Sequence, residues 1–202
     1  MERTMGLEQS QQHFHINQKI TPMANRYAVH TAGPDGAEGE MVAFAHQKRM
    51  ALKERITFYT DESQKQVLFT FQARQVIDLG ATYDVRAASG SQVGTFRKNF
   101  AASLLRSTWH MSEEGATAET TGVERNMTVA VLRRAWDVIP FVDILPFAWP
   151  YHFDFARADR PVMSVQKRLG LRDRYVLTIH DEHLDRRLAI AQAVALDALQ
   201  SR

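Results

Sequence analysis

The 202-residue chain contains no cysteine. That excludes disulfides, thiolate metal sites, cysteine nucleophiles and S-palmitoylation together. Proline (6) and glycine (10) are too scarce for a collagen-like or low-complexity chain. Charge of neither sign dominates: the formal balance is +2, so no strong field calls for nucleic acid, and none is expected as a partner. Long apolar runs are missing as well. The longest, Leu188–Leu199, is broken only by Gln192 and Asp197. At ~1.5 Å per residue it reaches about 18 Å, well short of the roughly 30 Å hydrocarbon core of a bilayer. The opening MERTMGLEQSQQHFHINQKI carries no apolar secretory region, and residues 1–12 read as a flexible N-terminus. The expectation is a single domain over residues 1–202 with no transmembrane segment, cytoplasmic or held peripherally at a membrane.

What is present is mostly strand. Met41–Phe44, Arg55–Tyr59, Gln66–Phe71, Thr82–Arg86, Gln92–Arg97, Leu105–His110, Tyr151–Phe155, Val162–Gln166 and Tyr175–Ile179 are rich in β-branched and aromatic residues. Turn signals such as Gly33-Pro34-Asp35-Gly36 and Ser89-Gly90-Ser91 lie between them. Short strands at this spacing predict a sandwich or barrel of hairpins. An internal repeat sharpens the expectation. Gln47–Phe58 (QKRMALKERITF) returns as Gln166–Leu177 (QKRLGLRDRYVL), with Gln, Lys, Arg, Leu and Arg at matching positions. Tyr83–Lys98 pairs more loosely with Phe153–Arg168, and Leu52–Phe71 with Leu79–Phe96. Imperfect copies of one hairpin argue for one closed sheet rather than independent domains.

Two stretches break the strand pattern. Gly122–Ile139 puts Val123, Met127, Val131, Ala135 and Val138 near one face, predicting an amphipathic helix after the polar link Ser112–Thr121. The segment from about Glu182 to Gln200 predicts a second helix, with Asp181 as its N-cap. From Leu188 it is apolar on nearly every side and lined with alanines, which fits inside a barrel better than on its surface.

Here the chain resembles a known family. The run VIDLGATYDVRAASGSQVGTFRKNFAASLLRSTWHM, the QKR–Leu–basic–acidic–Arg hairpins and the final hydrophobic helix are similar to LURP-one-related proteins, which group with phospholipid scramblases and the tubby C-terminal domain. The resemblance spans roughly residues 40 to 202. It implies a mainly β fold with helices: a closed antiparallel β-barrel of about twelve strands around a central hydrophobic C-terminal helix, Leu188–Leu199. It also implies a binding module, since tubby domains take phosphoinositide headgroups on basic residues and scramblases act at membranes. The scramblases' cysteine cluster is absent, as is any acidic loop of calcium-binding spacing.

No residue pattern proposes catalysis, a metal or a cofactor. Gly90-Ser91-Gln92-Val93-Gly94 carries Gln where a nucleophile elbow needs Ser, and no phosphate-cradling glycine loop occurs. His180 and His183 beside Asp181 and Glu182 read as a structural turn rather than a metal site. Asp78, Asp84, Asp143 and Asp154 read as turn caps or partners of arginines. The basic residues are the stronger lead. Lys48, Arg49, Lys53 and Arg55 recur as Lys167, Arg168, Arg172 and Arg174, and Arg97-Lys98 end the middle copy. Paired Arg and Lys suit phosphate, so these ten form the candidate anion or headgroup site. A solvated barrel face that blocks aggregation is the plainer account of the same charges. The expected function is a non-catalytic module recognising anionic phospholipid headgroups or a protein partner. The alternatives are a carrier of a lipid or small apolar ligand, or an enzyme whose site only the fold assembles. Trp136–Phe155, with its prolines and tryptophans, reads as a lid over one barrel end or as an exposed interaction surface.

Overall fold

The computed structural model describes residues 7–20, 24–33, 35–48, 55–74, 81–99, 107–125, 151–168 and 174–199. These hold twelve strands: β1 (His13–Ile20), β2 (Ala24–Ala32), β3 (Glu38–Lys48), β4 (Arg55–Tyr59), β5 (Val67–Ala73), β6 (Thr82–Ala87), β7 (Gln92–Lys98), β8 (Thr108–Glu113), β9 (Thr120–Glu124), β10 (His152–Arg157), β11 (Arg160–Arg168) and β12 (Arg174–Ile179). One helix, α1 (Arg186–Ala198), follows them. Each strand pairs antiparallel with its sequence neighbours, and β1 closes the ring on β12. A closed ring leaves no edge strand to recruit another chain. The expected barrel of about twelve strands around a C-terminal helix is the architecture observed.

Alternation explains the strands. In β4, Ile56 and Phe58 are buried; in β5, Phe69 and Phe71 are fully buried while Thr70 and Gln72 face out. The inward rings touch in a chain. Phe58 stacks on Phe69 at 4.2 Å, Phe71 meets Phe96 edge-on at 5.2 Å, and Phe96 leads to Trp109 at 6.2 Å. Such pairs add stability beyond their burial.

The helix fills what the rings leave. Leu188 to Leu196 are at most 1% exposed, the polar Gln192 included. Burial on every side of the helix places it inside the barrel, and its alanines keep it slim enough to fit. Gly94 shows how tight the fit is, because a Cβ there would lie 2.8 Å from Leu188 Cδ2 and 2.5 Å from the Ser112 carbonyl oxygen. Three N–H groups at the start of the helix are engaged. Asp185 accepts from the Arg187 N–H at 2.9 Å, Gln9 from Arg186 N–H at 3.0 Å, and Glu113 from Asp185 N–H at 3.2 Å. Fully buried Arg186 donates to the carbonyls of Gln11, Glu182 and Leu184. Of the N-terminal stretch expected to be flexible, Gln9 and Gln11 therefore contact the start of the helix.

Three expectations change. The N-cap is Asp185, not Asp181, whose carboxylate instead accepts from His183 N–H in the preceding turn. The helix read over Gly122–Ile139 does not start at Gly122, because Gly122, Val123 and Glu124 belong to β9; residues 126–139 lie outside the described residues. Gly122 sits where a Cβ would lie 2.2 Å from the Phe155 ring, so a neighbouring aromatic on β10 selects the glycine. Of Trp136–Phe155, His152–Phe155 form β10 and Tyr151 leads into it; residues 136–150 lie outside the described residues. Three strands lie beyond the nine ranges read from sequence: β1, of which only His13 and His15 read as one side of a strand, β2 and β9. Polar TTGVE in β9 presents no apolar alternation, and pairing with β8 and β10 decides it.

Candidate functional site

Antiparallel order sends odd and even strands to opposite ends of the barrel. At the end where α1 finishes, β1, β3, β5, β7, β9 and β11 end and the even strands begin. This is where the basic repeat residues fall. Lys48 closes β3, Arg55 opens β4, Arg97 and Lys98 close β7, Lys167 and Arg168 close β11, and Arg174 opens β12. Arg49, Lys53 and Arg172 lie outside the described residues. The two QKR copies are the hairpins β3–β4 and β11–β12, and in the ring only β1–β2 separates them. That hairpin adds exposed Lys19 and Arg26 at the same end. Of the six consecutive strands β11, β12, β1, β2, β3 and β4, five thus each contribute an exposed cation to one rim.

Their surroundings differ. Arg168 stands directly opposite Arg174 in register. Like charges so placed repel, and the Arg168 side chain forms no hydrogen bond or ion pair with another described residue. Arg174 donates to Asn17 Oδ1 at 3.2 Å and lies 3.9 Å from Glu38. Arg97 pairs with Glu119 at 3.3 Å, and the same carboxylate lies 3.0 Å from His110 Nδ1. Lys98 stands opposite Trp109 on β8. Lys167 departs from its expected outward position. It is only 8% exposed, and its ammonium lies 5.9 Å from the Tyr151 ring and 5.6 Å from that of Tyr175. Both rings offer a cation–π face, so Lys167 belongs to the barrel mouth rather than its rim.

Beneath that mouth is a polar cluster that the sequence reading missed. Asp197, on the last turn of α1, accepts hydrogen bonds from Tyr27 at 2.9 Å and from Tyr175 and Gln18. Gln18 closes the set, since its Oε1 accepts from Tyr175 at 3.2 Å. Burial, then the neighbouring Asp197 carboxylate, pushes the Tyr27 hydroxyl well above its ordinary pKa, so it stays a donor. The signal was there: a carboxylate interrupting an otherwise apolar run has to find donors.

The carboxylates singled out by sequence are held by arginines where they are described. Asp154 pairs with Arg125 through two contacts of 2.6 Å, and that hydrogen bonding holds its pKa below the ordinary carboxylate value. Asp84 pairs with Arg74 at 2.7 Å. Asp78 and Asp143 lie outside the described residues. Among the described residues no cluster of three or more His, Cys, Asp or Glu side chains is arranged to hold a metal. His183 lies 4.0 Å from Glu182, with both side chains exposed. Among them, too, no helix is long and apolar enough to cross a membrane.

The class these features define is a closed antiparallel barrel filled by its own C-terminal helix, with a basic rim at the end where that helix finishes. A family model described as LURP-one-related matches residues 41–197, and the chain belongs to that family. The match begins within β3 and runs to Asp197, taking in both QKR hairpins and all but the last residue of the helix. No curated protein and no solved structure matches the chain significantly.

Proposed function

We propose that the protein is a non-catalytic binding module that takes up anionic phospholipid headgroups on the basic rim of its barrel, working in the cytoplasm and peripherally at the membrane. The observation that carries this reading is the arc of exposed Arg168, Arg174, Lys19, Arg26 and Arg55, on five strands within one run of six. A rim that assembles like charges from strands far apart in sequence costs repulsion in the free protein, which an anion relieves. Family membership supports a binding module and leaves the ligand open. A carrier role is less well supported, because α1 occupies the space that a ligand would fill.

The test is flotation with vesicles of phosphatidylcholine alone, or doped with phosphatidylserine or a phosphoinositide, at low and moderate salt. The protein should float with the anionic vesicles and be released as salt screens the rim over about 8 Å at physiological ionic strength. Arg168→Glu combined with Arg26→Glu should abolish retention without changing the melting temperature much, since both side chains are exposed. If the wild type ignores anionic vesicles even at low salt, the headgroup reading falls and an acidic protein partner takes its place.

A further inference from the structure

The outer wall of the barrel carries a groove of about 630 Å³ over β5 and β6, away from the rim arc except at Arg55. Its shape follows from the register. Gln72 on β5 stands between Arg55 on β4 and Asp84 on β6, and Thr70 stands beside Arg86. Thr70 on β5 and Thr57 opposite it on β4 are short, while Arg55 and Arg86 on the flanking strands are long, so the central strand becomes the floor of a trough. Arg74, just past β5, closes one end. At the other end the lining turns apolar, with Val67, Ala87 and Ala88. Among the described residues Val67 is the large hydrophobic side chain left exposed, at 38%.

The charges in the trough do not cancel. The lining holds three guanidinium groups and one carboxylate. Asp84 holds Arg74 closely, with Arg74 Nε donating at 2.8 Å, and Arg86 loosely at 3.7 Å. Arg86 also donates to the Gly90 carbonyl at 3.3 Å, which steadies it against the turn. The Arg55 side chain forms no hydrogen bond or ion pair with another described residue. Asp84 is itself mostly buried, its side chain 16% exposed, while Arg74 and Arg86 remain about half exposed. The carboxylate therefore sits below and fixes the two guanidiniums, whose outer N–H groups face the groove. Several forked donors above a floor of hydroxyl and amide suit a phosphate better than a lone carboxylate, because a phosphate dianion accepts from several forks at once.

We propose that this groove binds a small phosphate monoester: the phosphate lies among Arg55, Arg74 and Arg86, over Thr70 and Gln72, and the organic part rests on Val67, Ala87 and Ala88. The inference rests on the preceding reading for the kind of ligand, an oxyanion, but places it on the wall rather than the rim. The same chemistry arises from a free phosphate ester or from a monoester headgroup in a membrane.

The experiment titrates isotope-labelled full-length protein with sn-glycerol 3-phosphate, with glycerol as the phosphate-free control, and follows backbone amide shifts. Vesicles of phosphatidylcholine with phosphatidic acid form the second arm. Glycerol 3-phosphate should give saturable shifts at Thr70, Gln72, Asp84, Ala88 and Gly90, and glycerol should give none. Arg74→Gln with Arg86→Gln should weaken binding about tenfold, in line with the loss of two charge-assisted contacts at a partly exposed site. Asp84→Asn should tighten it a few-fold by releasing both guanidiniums. The rim variant Arg168→Glu with Arg26→Glu should leave it unchanged. Saturation by glycerol 3-phosphate without vesicle binding supports the groove with a soluble ligand and removes the membrane reading. Vesicle binding lost in the groove variant supports the groove with a headgroup. The proposal is overturned if glycerol 3-phosphate moves none of these amides, or if the folded Arg86→Gln single variant binds as the wild type does. It is equally overturned if only a phosphoserine peptide occupies the groove.

Discussion

The hydroxyl of Tyr27, on the second strand, donates to the carboxylate of Asp197, in the last turn of the helix, at 2.9 Å. Tyr175 and Gln18 donate to the same carboxylate, so the helix is tied to β1, β2 and β12 at the barrel mouth. Removing the acceptor leaves these donors without it in a partly dry site. Asp197→Ala should cost about 2–4 kcal/mol, whereas Tyr27→Phe, which removes one donor, should cost about 1 kcal/mol. Chemical denaturation of both variants checks the order, and equal costs would show that the carboxylate is not the hub.

The helix interior gives a sharper test. Ala193 is 1% exposed and Ala195 fully buried, so a carboxylate at either position would lie in the apolar interior of the barrel. Ala193→Asp should leave the protein insoluble or molten, because burying an unpaired charge costs more than a small domain can spare. Ending the chain before Leu184 should do the same by emptying the barrel, a far larger void than any side-chain deletion. A truncated protein that stays soluble and melts cooperatively would refute the threaded-barrel architecture.

Gly122 reports on the wall. With the Phe155 ring 2.2 Å from where a Cβ would lie, Gly122→Ala requires the ring to move. A loss of about 1–3 kcal/mol is expected. Phe155→Leu in the same chain should recover part of it, since a smaller side chain makes room. A thermal melt of the single and double variants decides the matter.

His15 sets a pH dependence. It is 4% exposed on the outer side of β1, with Glu38 3.7 Å from its Nδ1 and Arg174 and Arg168 close enough to oppose its charge. Burial lowers its pKa below the ordinary 6.5, and Glu38 only partly offsets that. The unfolded chain therefore binds a proton before the folded one does, and stability should fall as pH drops below about 6.5. His152, lowered chiefly by burial too, adds to the same slope. His15→Asn should flatten the dependence of the denaturation midpoint on pH between 6.5 and 5; an unchanged slope would assign it to His152 and the remaining groups.

Much of this molecule follows from its sequence. Period-two alternation in segments such as Arg55–Tyr59 marks strands because one face must be dry, and the strand so read matches β4 residue for residue. The all-apolar run from Leu188 required burial on every side, and the repeated QKR hairpins required one sheet. The polar strand β9 was hidden because its pattern has no apolar period, and Gly122 because nothing local announces a ring from another strand. Which cations share a rim, that Lys167 turns inward onto Tyr151 and Tyr175, and that Arg55, Arg74 and Arg86 line one trough were decided by ring closure and strand register. So was the meeting of Asp197 with Tyr27. Local periodicity is written in neighbouring residues and is therefore legible in the chain. Sites built from side chains on separate strands exist only once long-range pairing has fixed which strands lie side by side.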